Sequence, residues 1–338
     1  MNESINLNGE VAMVAGGSSV SSLRVRVARK IFEAVDICTF ELVSAGGDSL
    51  PAFSAGSHLD VYLPGGLTRQ YSLCNDPAES HRYLIGVLND PVSRGGSKTM
   101  HERVKEGDLL NVGIPKNHFA LAHEAGKSLL LAGGIGVTPI LCMAERLAAL
   151  GKEFEMHYCT RSKGRTAFFE RIRRSAFASK VLFHFDDGEP RQKLDIAAVL
   201  QAQQAGTHLY VCGPKGFIDA VLSTARAYRW CEAQIHFEFF GSDMIKRDAD
   251  GSFEVKLASS GRIIVVPKDK TVVEALSEAG VKIQTSCEQG VCGACLTRVL
   301  EGEPEHRDVY FTPEERSANN QFLPCCSRAK SARLVLDL

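Results

Sequence analysis

The chain carries no excess charge of either sign. Its 39 Lys and Arg stand against 40 Asp and Glu, a formal net charge of −1. A near-neutral surface gives no electrostatic footprint for nucleic acid or an anionic membrane, so neither is expected as a partner. A basic leader is also missing. The first cation is Arg24, and MNESINLNGEVAMVAGGSSVSS lacks the positive start of a secretory signal. Long apolar runs are absent too. The most apolar stretch, SLLLAGGIGVTPILCMA, is broken by three glycines and a proline, which makes it a poor membrane span. No internal repeat and no low-complexity run is visible. A soluble, cytoplasmic chain is expected. It is expected as a monomer, since neither edge pairing nor a coiled coil is signalled.

What is present is an ordinary globular composition, 44% apolar and 23% charged over 338 residues, enough for two or three domains. Cysteine is plentiful. Eleven is an odd number, and with no secretory signal it argues against a disulfide framework. Seven of the eleven are scattered or set in apolar strands, as buried thiols are. The other four cluster near the C-terminus.

The rhythm of the chain changes twice. Residues 1–22 read as a flexible tail. Residues 23–123 hold closely spaced short strands (LRVRVARK, CTFELVS, SHLDVYLP, TRQYSLCN, RYLIGVL) and one helix at SKTMHERV opened by Ser97, a pattern that predicts an antiparallel β-barrel. Residues 124–241 alternate strands with helices, from KSLLLAGG through TAFFERIRRSAF to QIHFEFF, which predicts an α/β domain with a parallel sheet. Thr138 and Pro139 read as the cap and first residue of a helix that Gly151 ends. Residues 242–252 are polar and read as a linker. Residues 253–338 read as a hairpin, a short helix with Thr271 and Glu274 as a capping box, the cysteine loop and further strands, an α+β arrangement.

The strongest motif is TSCEQGVCGACLTRV. Cys287-x4-Cys292-x2-Cys295, followed after 29 residues by Cys325, is the spacing of a plant-type 2Fe-2S cluster. Each iron takes two thiolates beside the two bridging sulfides, so four cysteines are required. A zinc site would more often show paired C-x2-C knuckles. Spacing alone admits either of two neighbours, Cys325 or Cys326, as the fourth ligand. The backbone there is expected to be extended, so that the two side chains point opposite ways and do not both face one iron.

RQYS lies in a barrel strand, with Arg69 and Tyr71 on one face and Ser72 on the other. A guanidinium can grip a phosphate bidentately, and a phenol offers a flat amphipathic surface. SRGGSKTM sets Gly95, Gly96 and Ser97 before a helix, where backbone N–H groups favour an anion. In LLLAGGIGVTPI, Gly133, Gly134 and Gly136 follow a buried strand and lead to a helix start at Thr138, a loop that lets backbone approach a pyrophosphate. VCGPKGF places Cys212, Gly213 and Pro214 at the end of a parallel strand, where open α/β sheets bind ligands.

Together, TSCEQGVCGACLTRVLEGEPEHRD and CCSRA resemble the C-terminal ferredoxin (β-grasp) domain of the phthalate dioxygenase reductase family. The resemblance extends over nearly the whole chain after residue 22. It implies an FMN barrel, then an NAD(H) domain, then the cluster domain. It implies that Arg69 pairs with the flavin phosphate, that Tyr71 lines the isoalloxazine and that Ser72 lies near N5. Cys212 would sit beside the nicotinamide. Phe239 or Phe240, with Phe240 favoured, would stand near the flavin, making Ser72, Cys212 and Phe240 the residues around the reacting atoms. The resemblance also registers Cys325 as the ligand and leaves Cys326 as a small apolar residue packed beneath the cluster. The nucleotide is expected to be NADH, although TRSKGR could accommodate a 2′-phosphate. The reaction implied is hydride from NADH to FMN, then single electrons through the cluster to a terminal oxygenase of Rieske type. A haem or quinone acceptor, and a non-enzymatic metal or nucleotide sensor, are the rival readings.

Overall fold

A computed structural model describes residues 22–64, 66–91, 93, 95–202, 205–240, 250–285, 290, 293–308 and 310–338. The expected tail and most of the expected linker lie outside these residues. The described chain forms two compact units that divide after Glu238.

The first unit begins with antiparallel strands: β1 (Ser22–Ala34), β2 (Ile37–Ser44), β3 (Ser57–Leu63), β4 (Leu67–Ser72), β5 (Tyr83–Leu88), β6 (Leu109–Gly113) and the short β7 (Lys116–Asn117), with helix α1 (Gly96–Glu102) between β5 and β6. The sheet runs β4-β3-β6-β1-β2-β5, and a bridge from Leu73 to Ile85 brings its two ends together. Alternation sets its inside: Val25, Val27, Phe40, Leu42, Leu59 and Val61 are fully buried. Each such side chain contributes about 1.5–3 kcal/mol relative to exposure.

A parallel sheet follows, built from β8 (Lys127–Gly133), β9 (Glu153–Thr160), β10 (Val181–Phe185), β11 (Thr207–Gly213) and β12 (Ile235–Phe239) with helices α2 (Val137–Ala149), α3 (Phe169–Arg173), α4 (Ile196–Gln201) and α5 (Lys215–Ala227). Its order is β10-β9-β8-β11-β12. The chain starts in the middle at β8, goes out one way through β9 and β10, and returns to the other side at β11. Barrel and parallel sheet share one core, in which Ile37 and Leu84 of the barrel join Ile140, Leu141 and Tyr158.

Three helix starts differ from the sequence reading. α1 is capped by Gly95, at φ 89°, with no side-chain cap. Ser97 is one residue inside, and its Oγ accepts the Asp90 N–H at 3.2 Å. α2 is preceded by a 3₁₀ turn over Gly134–Gly136 and capped by Gly136, so Thr138 is inside the helix, its Oγ1 donating back to the Ile135 carbonyl. The helix expected over TAFFERIRRSAF is only five residues long. Phe168 takes φ 59°, outside helical backbone, because its buried ring packs against β5 near Gly86. Tertiary packing there overrides local propensity.

The second unit contains β13 (Phe253–Leu257), β14 (Ile263–Val266), α6 (Val272–Glu278), β15 (Thr297–Glu301), β16 (Pro304–Glu305), α7 (Pro313–Ser317), β17 (Gln321–Phe322), β18 (Arg328–Ala329) and β19 (Arg333–Leu336). Its main sheet runs β14-β13-β19-β15-β17, with β13 antiparallel to β14 and parallel to β19. Thr271 and Glu274 form the full capping box of α6. Beside this sheet lies a buried ionic group. Arg307 forks onto Asp250 and also meets Glu305 at 2.9 Å, while Arg328 donates to the carbonyls of Gly251, Pro267 and Lys270. These bonds hold the start of the unit onto the strands that follow the cysteine loop.

Removing Asp250 leaves Arg307 still bonded to Glu305. Asp250→Ala is expected to destabilise the second unit by about 1.5–3 kcal/mol, seen as a lower midpoint for its thermal transition. An unchanged midpoint would mean that the pair adds nothing.

Candidate functional site

The sheet order places one crevice. The strand order reverses between β8 and β11, and open α/β sheets bind ligands at the carboxyl ends of strands at such a reversal. Both nucleotide motifs end there. The loop after β8 and the loop after β11 touch through glycine. A Cβ on Gly136 would lie 2.3 Å from the Cys212 carbonyl oxygen, and one on Gly213 would lie 2.9 Å from Gly133 Cα. No side chain fits, so the two loops are pressed together as bare backbone. Gly213 leads into Pro214, the cap of α5. The structure thus brings Gly133, Gly134, Gly136, Cys212, Gly213 and Pro214 to one place, with Thr138 turned into its own helix.

The barrel supplies a second surface. In β4, Arg69 and Tyr71 pair with Val61 and Leu59 of β3, while Ser72 pairs with His58 on the opposite face. A Cβ on Gly96 would lie 2.5 Å from Arg69 Cγ and 2.7 Å from its Nε, so the guanidinium arm crosses the first turn of α1 in direct contact. Arg69 is held there by a 2.7 Å bond from Nη1 to the Thr68 carbonyl. Guanidinium and the Gly95–Gly96–Ser97 backbone form one cationic cradle that suits a phosphate. Tyr71 packs on the barrel core, and burial pushes its phenol well above the usual range, partly offset by Arg69.

Ser72 joins the two surfaces. It is buried, and its Oγ donates to Glu238 Oε2 at 3.4 Å. Glu238 is half-buried at the end of β12. Loss of solvent pushes its carboxyl up to about 8, against the opposing bond from Ser72. Cys212 is fully buried, and burial, then the nearby Glu238, push its thiol well up, so it stays protonated. Ser72, Cys212 and Glu238 therefore converge. Sequence reading missed Glu238, and its one signal was an acidic residue inside the apolar strand HFEFF. His58, opposite Ser72, was missed too. It is buried with no hydrogen-bond partner for Nε2 among the described residues, and burial lowers its pKa to about 4. Phe240 follows β12 and is 37% exposed, whereas Phe239 is buried.

In the second unit Cys287 and Cys292 lie outside the described residues. Cys295 and Cys325 are buried in one small apolar group with Phe311, Leu323 and Cys326. The backbone at Cys325 and Cys326 is a turn, not the extended strand that adjacent cysteines on opposite faces would imply. The amides of Cys326 and Ser327 both donate to the Leu323 carbonyl. Cys326 Sγ lies 2.5 Å from where a Cβ on Gly290 would be, so it packs under the cysteine loop. Two buried thiols brought into one apolar group, with two more cysteines in the sequence just before Cys295, suit a soft, thiolate-held iron cluster.

Comparison with known proteins agrees with this geometry. A family model described as "2Fe-2S iron-sulfur cluster binding domain" matches residues 255–330, and one described as "Dimethylamine monooxygenase subunit DmmA-like, N-terminal domain" matches residues 115–235. The phthalate dioxygenase reductase of Burkholderia cepacia is 40% identical over 317 residues, covering 94% of this chain and 97% of that one. A solved structure of phthalate dioxygenase reductase superposes with a TM-score of 0.79 at 40% identity, over 94% of this chain and 98% of that one. The chain belongs to the phthalate dioxygenase reductase family. The vanillate O-demethylase oxidoreductase of Pseudomonas putida is more similar still, 56% identical over 307 residues, or 90% of this chain and 96% of that one. The reductase is an electron-transfer oxidoreductase that works with FMN, NADH and a 2Fe-2S cluster, of the class that serves multicomponent oxygenases.

Glu238 predicts a pH dependence. Below about pH 8 its carboxyl is neutral, and above it a negative charge appears beside Ser72 and Cys212. Turnover of NADH with ferricyanide should fall as pH rises through about 8, and Glu238→Gln should flatten that limb. A limb that persists in the variant assigns it to another group.

Proposed function

We propose that the reductase takes electrons from NADH and delivers them singly to a Rieske-type terminal oxygenase, working as a monomer. The observation that carries this is the coexistence in one chain of the Arg69–Gly96 cradle, the glycine contact at the strand reversal and the four-cysteine motif. Bound FMN would supply the change from two-electron to one-electron transfer, and a bound 2Fe-2S cluster would supply one-electron transfer onward.

The chain supplies position and electrostatics. Arg69 and the amides of Gly95, Gly96 and Ser97 would hold the FMN phosphate, and Tyr71 would lie along the ring system. Ser72 would meet the flavin near N5 while keeping Glu238 oriented. The bare backbone of Gly133, Gly134 and Gly136 would admit the NADH pyrophosphate, with Thr138 bracing the loop. Cys212, Gly213 and Pro214 would edge the nicotinamide. The buried, protonated Cys212 thiol gives that edge a compact apolar surface with no charge to attract water. Phe240 would close the flavin side. Cys287, Cys292, Cys295 and Cys325 would hold the cluster, and Cys326 would fill the space beneath Gly290.

The 56% identity to a vanillate O-demethylase oxidoreductase, against 40% to phthalate dioxygenase reductase, supports an oxygenase partner that cleaves an aryl methyl ether. With NADH, the reductase should drive vanillate demethylation by such an oxygenase faster than it drives phthalate oxidation by a phthalate dioxygenase. The reverse order overturns this choice of partner.

The cluster ligands are tested by asymmetry. Purified protein is expected to be red-brown and to bleach with NADH. Cys325→Ser should lose or damage the cluster while keeping NADH-to-ferricyanide turnover, and transfer to cytochrome c should be lost. Cys326→Val should keep both activities. An intact cluster in Cys325→Ser, with loss in Cys326→Val, would reverse the assignment.

A further inference from the structure

Helix α1 is gripped at both ends, and only one grip belongs to the site described above. At its start, Arg69 of β4 crosses Gly96. At its end, the Lys30 ammonium of β1 donates to three carbonyls, Met100 at 3.3 Å, His101 at 2.6 Å and Val104 at 2.8 Å. The last carbonyls of a helix have no partner within it, and a cation there also meets the negative end of the helix dipole. The Lys30 backbone amide adds a 2.8 Å bond to Glu106 Oε1, so β1 also holds the chain as it leaves α1.

Other contacts also hold α1, among them the Asp90 N–H bond to Ser97 Oγ at 3.2 Å in its first turn. Met100 is fully buried in the barrel core, and His101 Nε2 meets the Val87 carbonyl of β5 at 2.9 Å. These contacts hold the helix against the barrel. Lys30 pulls along the helix axis. A seven-residue helix is about 10 Å long, so an axial shift at the Lys30 end appears undiminished at Gly95–Ser97. That end is where the Arg69 arm already leaves no room for a Cβ.

We propose that Lys30 is a positioning residue for the flavin phosphate cradle. It sets the depth of α1 and so the distance between the Gly95–Ser97 amides and the Arg69 guanidinium. It touches neither flavin nor nucleotide. The inference rests on the reading of Arg69 and Gly95–Ser97 as the phosphate site.

The test compares FMN with riboflavin, which lacks the phosphate, on the full-length chain stripped of flavin. Affinity is read from quenching of flavin fluorescence. In Lys30→Met, FMN affinity should fall about tenfold, a change of about 1.4 kcal/mol, while riboflavin affinity holds. Lys30→Arg, which keeps a cation at the carbonyls, should recover most of the FMN affinity. Equal losses for both flavins would show general damage to the barrel and overturn the proposal, as would unchanged FMN affinity. Arg69→Gln, measured in parallel, separates the two levels. If it leaves the preference for FMN over riboflavin intact, the phosphate reading itself fails. If it removes that preference and Lys30→Met does not, only the role of Lys30 fails.

Discussion

The contact on which the first unit depends is backbone on backbone. Gly136 rests against the Cys212 carbonyl, and Gly133 against Gly213, at distances that exclude a side chain. That contact joins the loop opening α2 to the loop opening α5, the two loops on either side of the strand reversal. It brings Cys212 to the crevice floor and leaves bare amides where the NADH pyrophosphate is proposed to approach. Any Cβ at Gly136 would push the two loops apart and disturb both halves of the proposed nucleotide site together.

A related economy joins sheet and barrel. Gly86 of β5 has no room for a Cβ because Thr138 and Phe168 lie against it. The start of α2 is therefore pressed onto the barrel wall, and the two layers share one core. Ser72 can then reach Glu238 across the two sheets. The bond orients the carboxyl, while the packing around it removes enough solvent that the group stays neutral near neutral pH despite that bond. The second unit sets a buried ionic group around Arg307 beside its own apolar core.

Much was legible before the structure. The change from closely spaced short strands to alternating strands and helices separated barrel from parallel sheet, because periodicity and connection length reflect how each sheet buries its faces. The capping box at Thr271 and Glu274 was legible for a local reason: its bonds span three residues. The helix starts at Ser97 and Thr138 were misread. In both places glycine geometry and a tertiary contact, not a hydroxyl, decide where the helix begins. The extended backbone assumed at Cys325 and Cys326 was likewise wrong, since both amides beyond Cys325 fold back onto Leu323.

The sequence by itself determined the chemistry. Four cysteines at ferredoxin spacing, R-x-Y-S with a Gly-Gly-Ser helix start, and glycine-rich strand ends are local patterns, and local patterns record which ligand types a segment can hold. Only the tertiary structure decided which groups act together. Glu238 stands 166 residues from Ser72, and Lys30 reaches α1 from 70 residues away. Lys30 leaves no mark in its own segment, and Glu238 only that of an acid in an apolar strand, because a hydrogen bond across a fold constrains two positions jointly and each of them alone hardly at all. The shift of Glu238 toward neutrality has the same origin: it depends on how much water the packed sheets exclude, which no window of sequence contains.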